Sequence, residues 1–334
     1  MNRIVISRTD SIGDVLLTLP ICTWLKENHP TCEIIFLGKA YTKPIIECYD
    51  SVDEFVDWDS IENSPSMHQL EEFRRLKASC IIHVFPNKKI AALAKKARIP
   101  MRIGTSHRSF HLLTCNHRPN FTRKRSNLHE AQLNFELLKP LGLKTIPSLE
   151  ELNAKTHHFH PKSKEIPQKI EDFIQKHSKY VILHPKSQGS ALEWPIEKYI
   201  SLSQQLVENN VGVIFTGTAS EGKQFQHLIP TTDSIMDATG ETSLYQLITL
   251  IQRAEGIVAC STGPLHIGGY LNIKTIGLFS PKRPIHPGRW SPLGSQTHAL
   301  VFDENCAVCA SKKKCNCIVN IEVEKVLRIL LPSN

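Results

Sequence analysis

Short β-branched runs alternate with helical apolar patterns twice along this chain, and a polar, His- and Pro-containing stretch from about residue 152 to 167 separates the two blocks. No other feature constrains the fold as much. A strand, a crossover helix and a further strand produce a parallel sheet with helices on its faces. In the first block the apolar runs are residues 4–7, 33–37 and 80–84, with helical stretches between them. Pro20 interrupts the first helical pattern and predicts a kink there. The second block places strands at residues 180–184, 211–216, 256–260 and 274–279, with Ile196, Tyr199, Ile200, Leu206 and Val207 as the apolar stripe of an intervening helix. No internal repeat is visible. The expectation is an α/β protein of two doubly wound parallel-sheet domains, residues 1–160 and 161–320. Residues 321–334 read as a closing amphipathic helix, with packing back on the first domain as one option. The stretch between the blocks reads as a linker.

The chain has 334 residues, enough for two hydrophobic cores of roughly 150 residues each. Its 41% hydrophobic and 22% charged residues argue against a disordered or fibrous chain. No window reaches the roughly 18 apolar residues of a membrane span. The opening Met-Asn-Arg-Ile-Val-Ile-Ser-Arg lacks the apolar core of a secretory signal, so the expected location is the cytoplasm. Of ten cysteines, six are scattered singly and read as reduced thiols. Cys306, Cys309, Cys315 and Cys317 have a spacing that could hold zinc as tetrahedral thiolates. Free thiols in a basic loop are the preferred reading, since two domains need no metal staple.

The net charge of +8 is uneven. From Lys95 to His129 there are nine cationic residues (Lys95, Lys96, Arg98, Arg102, Arg108, Arg118, Arg123, Lys124, Arg125) and no acid. Such a run is either a solvated surface or a field that gathers nucleic acid, anionic head groups or a phosphorylated substrate.

Parallel sheets bind ligands beyond the carboxyl ends of their strands, so the loops there are the places for chemistry. The loop after residue 7 carries Gly13 and Asp14 at a helix entrance. It has neither a dinucleotide fingerprint nor a phosphate-loop Gly-Lys-Ser/Thr, which leaves no signal for a nicotinamide cofactor or ATP hydrolysis. Asp14 has a sufficient structural explanation in the helix dipole, with a base facing a cleft between the domains as the functional alternative. Ser261, Thr262 and Gly263 precede a helix containing His266; small residues there admit a diphosphate to free N–H groups, and His266 is either a phosphate donor or a core histidine. Lys186, Ser187 and Gln188 form a third loop that either completes a phosphate cradle or is a solvated turn. Glu221, in a fourth, either bonds a ribose diol or sits in a first helical turn.

Together these loops resemble the ADP-heptose:lipopolysaccharide heptosyltransferases, inverting glycosyltransferases of the GT-B fold, in which two Rossmann-like domains face each other across a cleft. The resemblance spans nearly the whole chain. It rests on the run Arg8-Thr9-Asp10-Ser11-Ile12-Gly13-Asp14-Val15-Leu16-Leu17-Thr18-Leu19-Pro20, on His184-Pro185 with Glu193-Trp194-Pro195, and on Ser261-Thr262-Gly263-Pro264-Leu265-His266-Ile267. Arg102-Ile103-Gly104 and His129-Glu130 with Asn134 agree with weaker motifs.

The resemblance implies Asp14 as the general base, with Ser187, Thr262, Gly263 and His266 at the donor diphosphate and Glu221 at the adenosine ribose. Lys186, Gln188 and Ser261 complete the donor side. Arg8, Arg102 and His129 would meet the acceptor, a lipid A precursor with acidic Kdo sugars and phosphates, in peripheral contact with the inner membrane. No metal or other cofactor is required, and nucleic acid is not a partner. Leu192 replaces a common Lys or Arg, Lys186 a common glycine and Ser261 a frequent aspartate, so the donor side departs from the family more than the rest. The alternatives are another nucleotide sugar on the same fold, or a non-catalytic module that binds anionic ligands.

Overall fold

The computed structural model describes residues 2–123, 126–311 and 315–331 and divides into two compact units, Met1–His160 and Pro161–Asn334. Lys124 and Arg125 of the basic run lie outside the described residues.

The first unit is built on β1 (Arg3–Ser7), β2 (Glu33–Gly38), β3 (Glu54–Asp57), β4 (Cys80–His83) and β5 (Met101–Ile103). Their order is β3-β2-β1-β4-β5, and every pair is parallel. Ile4, Val5 and Ile6 are fully buried, as expected for a strand covered on both faces. The chain winds outward from β1 to β3, then crosses back to β4. Between β1 and β4 the winding reverses, and the loops that follow these strands diverge to opposite faces, leaving a crevice. Ser7 is level with His83, so both strands end together there.

The second unit holds β6 (Tyr180–His184), β7 (Gly212–Phe215), β8 (Ile235–Asp237), β9 (Gly256–Cys260), β10 (Lys274–Leu278) and β11 (Thr297–Leu300). The order β11-β10-β9-β6-β7-β8 is again wholly parallel, with the reversal between β6 and β9. His184 is level with Ala259. Each crevice is thus fixed within its own unit by strand order alone.

Local sequence sets the helix boundaries. Asn87 accepts hydrogen bonds from the N–H groups of Lys89 and Ile90 and starts the helix Lys88–Lys96. Ser148 and Ser243 start theirs with reciprocal bonds to Glu151 and Gln246. Pro20 does not kink a continuous helix. One helix closes at Leu16 and Pro20 opens a second, Pro20–Asn28, from a first-turn position where its missing N–H has no intrahelical role.

The first half of the stretch expected as a linker is packed, while residues 160–165 are largely exposed. Leu152 is fully buried, Thr156 and Phe159 nearly so, and Phe159 bridges to Tyr49. The sparse apolar residues there lie on a short helix, Leu149–Ala154, and a following turn, Lys155–His158, both in the first unit.

The closing helix Val323–Leu330 buries Val323, Val326 and Leu330 in the second unit's own core, beside Tyr199, Leu202 and Leu206 of the helix Ile196–Glu208. Trp194 Nε1 and Lys198 Nζ both donate to the Ile321 carbonyl just before it, at 3.0 and 2.7 Å. Its apolar face therefore packs within the second unit. Among the described residues, no helix is long and apolar enough to cross a membrane.

Candidate active site

The crevice of the first unit is organised by a buried cation. Arg8 follows β1 and is 3% exposed. Its Nε donates to Asp10 Oδ1 at 2.7 Å, one Nη donates to Asp14 Oδ1, and the other lies 3.7 Å from Glu130. Burial opposes its charge, but Asp10, Asp14 and Glu130 outweigh that penalty and hold its pKa above the ordinary value. Asp14 stands in the first turn of the helix Ile12–Leu16, and its second carboxylate oxygen accepts from the Ser11 hydroxyl. Its side chain keeps 17% of its surface exposed, so an incoming hydroxyl has access to it. Burial pushes Asp10 up to about 6; Asp14 adds to that shift and Arg8 opposes it.

Glu130, 1% exposed, extends the network. Arg123 Nε donates to it at 2.7 Å, and an Arg123 Nη donates to Asn134 Oδ1 at 3.0 Å. The Asn134 amide then donates to the Leu17 carbonyl at 2.9 Å, just beyond the helix that carries Asp14. The catalytic candidate is thereby held from both ends of one network.

Other acceptor-side candidates sit differently. His129 is 1% exposed, and its Nδ1 accepts from the Ala131 N–H at the start of the helix Glu130–Phe135. Its visible work is to seat Glu130. The Arg102 guanidinium donates to the carbonyls of Ile99 and Thr114, tying β5 to its neighbouring segment rather than joining the Arg8 network. Arg118 and Lys95 likewise donate to the carbonyls of Cys115 and Leu113. Much of the basic run therefore serves as internal bracing.

In the second unit, the loop after β9 leads into the helix Gly263–Tyr270. Thr262 occupies the position before that helix but makes no capping bond. Its Oγ1 is buried and, among the described residues, has no hydrogen-bond partner. A Cβ on Gly268 would fall 2.5 Å from Ile257 and 2.7 Å from Thr275, so only glycine lets this helix seat so closely on the sheet. An uncapped N-terminus and an unsatisfied hydroxyl make a site for an anion. His266 is 3% exposed, one turn into the helix.

The loop after β6 is more fully engaged. Lys186 Nζ donates to Glu193 Oε2 at 2.6 Å, and both the N–H and hydroxyl of Ser187 donate to Glu193 Oε1 at 2.9 Å. Burial opposes ionisation of Glu193, but these donors outweigh it and keep its pKa below the usual carboxylate range. Gln188 and Gly189 adopt φ of 49° and 79°, turning the loop tightly. Ser190 Oγ approaches the Ser261 carbonyl at 3.5 Å, and the Trp194 N–H donates to Cys260 Sγ, so the β6 and β9 loops are joined. A phosphate near Lys186 meets a carboxylate already in place. At the β9 loop, by contrast, the Thr262 hydroxyl has no hydrogen-bond partner among the described residues.

Glu221 is buried and accepts from the N–H and hydroxyl of Thr218 in a reciprocal cap of the helix Ala219–Phe225. Nearby His184 is pushed down to about 4 by burial, with Glu221 opposing, and its Nδ1 lies 3.0 Å from Thr216 Oγ1.

Asp10, Arg123, Glu130 and Glu193 hold these two loops together, and although the sequence motifs and the basic run include them, sequence reasoning gave none of them a role of its own. Glu130 had a visible signal: it is the first acid after the acid-free basic run. Glu193 had its place in the Glu193-Trp194-Pro195 motif.

The family model of glycosyltransferase family 9 (heptosyltransferase) matches residues 70–318. A Haemophilus influenzae protein named as a glycosyltransferase is 25% identical over 313 residues, covering 90% of this chain and 89% of its own. The structure of Escherichia coli ADP-heptose lps heptosyltransferase II superposes with a TM-score of 0.75 at 17% identity, covering 99% of this chain and 97% of its own. Escherichia coli heptosyltransferase WaaC with ADP gives a TM-score of 0.69 at 17% identity, with 98% of each chain covered. The likeness to these two structures is one of fold.

Removing Glu130 leaves the Arg8 guanidinium buried with one carboxylate fewer. Glu130→Ala is expected to cost about 3–5 kcal/mol of stability, as for other broken buried ion pairs. Urea unfolding measures this, and a loss below about 0.5 kcal/mol would show that the pairing does not support the unit.

Proposed function

This chain belongs to glycosyltransferase family 9, the heptosyltransferase family, and on that premise we propose that it transfers a heptose, or a closely related sugar, from ADP-heptose to the inner core of lipopolysaccharide. Each of its two units has the Rossmann-like parallel sheet of the GT-B fold. The observation that carries the donor assignment is the buried Thr262 hydroxyl beside an uncapped helix N-terminus. A nucleotide diphosphate supplies the acceptor oxygens this arrangement lacks.

The chemistry is a single displacement. The acceptor hydroxyl gives its proton to the Asp14 carboxylate while its oxygen bonds to the anomeric carbon. The bond from that carbon to the diphosphate oxygen breaks, the electron pair leaves with ADP, and the configuration inverts. Charge that develops on the diphosphate meets the first-turn N–H groups of the helix Gly263–Tyr270, the Thr262 hydroxyl and His266. Protein donors of this kind perform the role without a metal. On the acceptor side, the exposed cations Lys96, Arg98 and Arg108 of the basic run suit Kdo carboxylates and lipid A phosphates, while Arg8, already met by three carboxylates, holds Asp14 in place. The proposal includes work in the cytoplasm, in peripheral contact with the inner membrane, where a nucleotide-sugar donor and a lipid-borne acceptor would meet.

A panel of nucleotide sugars offered with a deacylated inner-core acceptor, read by product mass, tests the reading. Transfer from ADP-heptose is expected; transfer from UDP-sugars alone contradicts the donor assignment. Thr262→Val separates binding from folding, because it removes a hydroxyl that is unsatisfied in the free protein. Stability is expected to hold or rise, while donor affinity falls by about 10- to 100-fold, the worth of a hydrogen bond to a charged group. Unchanged affinity by calorimetry removes Thr262 from the donor site.

The pH dependence has a defined sign. Asp10 is ionised above about 6 and loses its charge as the pH falls through that value. Arg8 then bears on Asp14 without competition, which opposes proton uptake from the acceptor. Turnover is expected to fall on the acid side of about 6, and Asp10→Asn to lack that step and stay at the lower rate. An unaltered acid limb in the variant contradicts the coupling.

A further inference from the structure

We propose that Cys306, Cys309, Cys315 and Cys317 form a tetrathiolate site for one thiophilic transition-metal ion, zinc or iron, which clasps the segment after β11 to the loop after β10. All four Sγ atoms lie within 4.8 Å of one another. Cys306 and Cys315 approach to 3.4 Å, and Cys315 and Cys317 to 3.3 Å. A tetrahedron with metal–sulfur bonds of about 2.3 Å has sulfur–sulfur edges of about 3.8 Å, so small adjustments suffice. The four are free cysteines. Thiols are weak hydrogen-bonding groups and give little reason of their own for four to converge.

The local chain is arranged to deliver these ligands. Cys306 precedes the short helix Ala307–Ala310 and Cys309 lies within it, so one turn brings both sulfurs to one side. Cys315 and Cys317 come from the far side of the sequence Lys312-Lys313-Lys314. Four thiolates and one divalent ion carry net negative charge, and a lysine run in sequence between the ligand pairs suits that sign. Cys309 and Cys317 are buried, whereas Cys306 and Cys315 are half-buried, which gives an ion a route in.

The surroundings show what the clasp secures. Among the described residues, no helix or strand lies between Ala310 and Val323. Ile318 and Ile321 nevertheless insert into the second unit's core. At the other end, Cys309 Sγ lies 3.5 Å from the buried Ser280 hydroxyl, which also accepts from the Lys282 N–H at 3.2 Å. Ser280 follows β10, and β10 pairs in parallel with β9, Leu278 level with Cys260. The clasped loop therefore leaves the sheet at the same end as Ser261–Thr262–Gly263. Four protein sulfurs leave no open coordination position, which makes the ion a brace and not a reactant. Binding releases the thiol protons to solvent.

The test uses the full chain purified under reducing, oxygen-free conditions after growth with added zinc or added iron, with metal per chain measured by mass spectrometry. About one ion per chain is expected, whichever metal fills it, and about tenfold less in the Cys306→Ser, Cys315→Ser double variant. Those two positions are half-buried, so the variant should keep its circular dichroism spectrum. Should it fail to fold, the wild-type chain loaded with Co2+ decides: thiolate charge-transfer bands and tetrahedral d–d absorption support the site. Cys22→Ala, a buried cysteine elsewhere, should retain the ion. Equal metal in wild type and double variant overturns the proposal. So does a metal-free chain that takes up neither Zn2+ nor Fe2+ on titration, or a disulfide among the four in the reduced preparation.

Discussion

A guanidinium buried to 3% exposure and held among three carboxylates is the constraint from which the first unit's chemistry follows. An isolated buried cation is prohibitively costly, so Arg8 demands anionic partners in fixed positions. Asp10 and Asp14 come from the same loop, and Glu130 from a helix more than a hundred residues later. Their convergence places Asp14 at the reversal of the sheet, where a ligand crevice is expected. Arg123 and Asn134 then tie Glu130 back to the helix that carries Asp14. The carboxylate with partial exposure is thus oriented by groups that solvent barely reaches.

The second unit uses the opposite electrostatic design. Among the described residues no buried ion pair dominates the loop after β9; the helix Gly263–Tyr270 has no side-chain cap at its N-terminus, and the Thr262 hydroxyl is buried without a partner. An unsatisfied polar atom reduces stability in the free protein and, under the proposed function, is the donor that an anionic ligand would use. The loop after β6 has its charges already neutralised, Lys186 by Glu193. It shapes and supports the β9 loop, to which Trp194 and Ser190 join it.

The interior strands were legible in the sequence because burial on both faces requires continuous apolar runs, as in Ile4-Val5-Ile6 and Val181-Ile182-Leu183. The strands that escaped notice, β3, β5, β8 and β11, are the four sheet edges. Each is short and partly exposed, and Arg102 or His298 within them breaks the apolar signal. Pro20 was correctly seen as an interruption, but only the structure shows it starting a new helix. The positions of Asp14 and Thr262 at helix starts beyond β1 and β9 were readable because the strand and helix patterns on either side are clear. The roles of His129 and Arg102 were not, since whether a charged or polar side chain braces the fold or meets a ligand depends on partners remote in sequence. The same holds for Glu130, whose value comes from reaching Arg8 and Arg123 together.

The central claim is that Asp14 accepts the proton of the attacking hydroxyl while the second unit binds the donor independently. Single-turnover transfer with donor in excess, measured alongside ADP affinity in Asp14→Asn, tests it most directly. The account predicts a rate lower by at least about a thousandfold, the scale of a lost general base, with ADP affinity within about twofold of the wild type. Transfer at the wild-type rate, or loss of ADP binding in parallel with the rate, would contradict it.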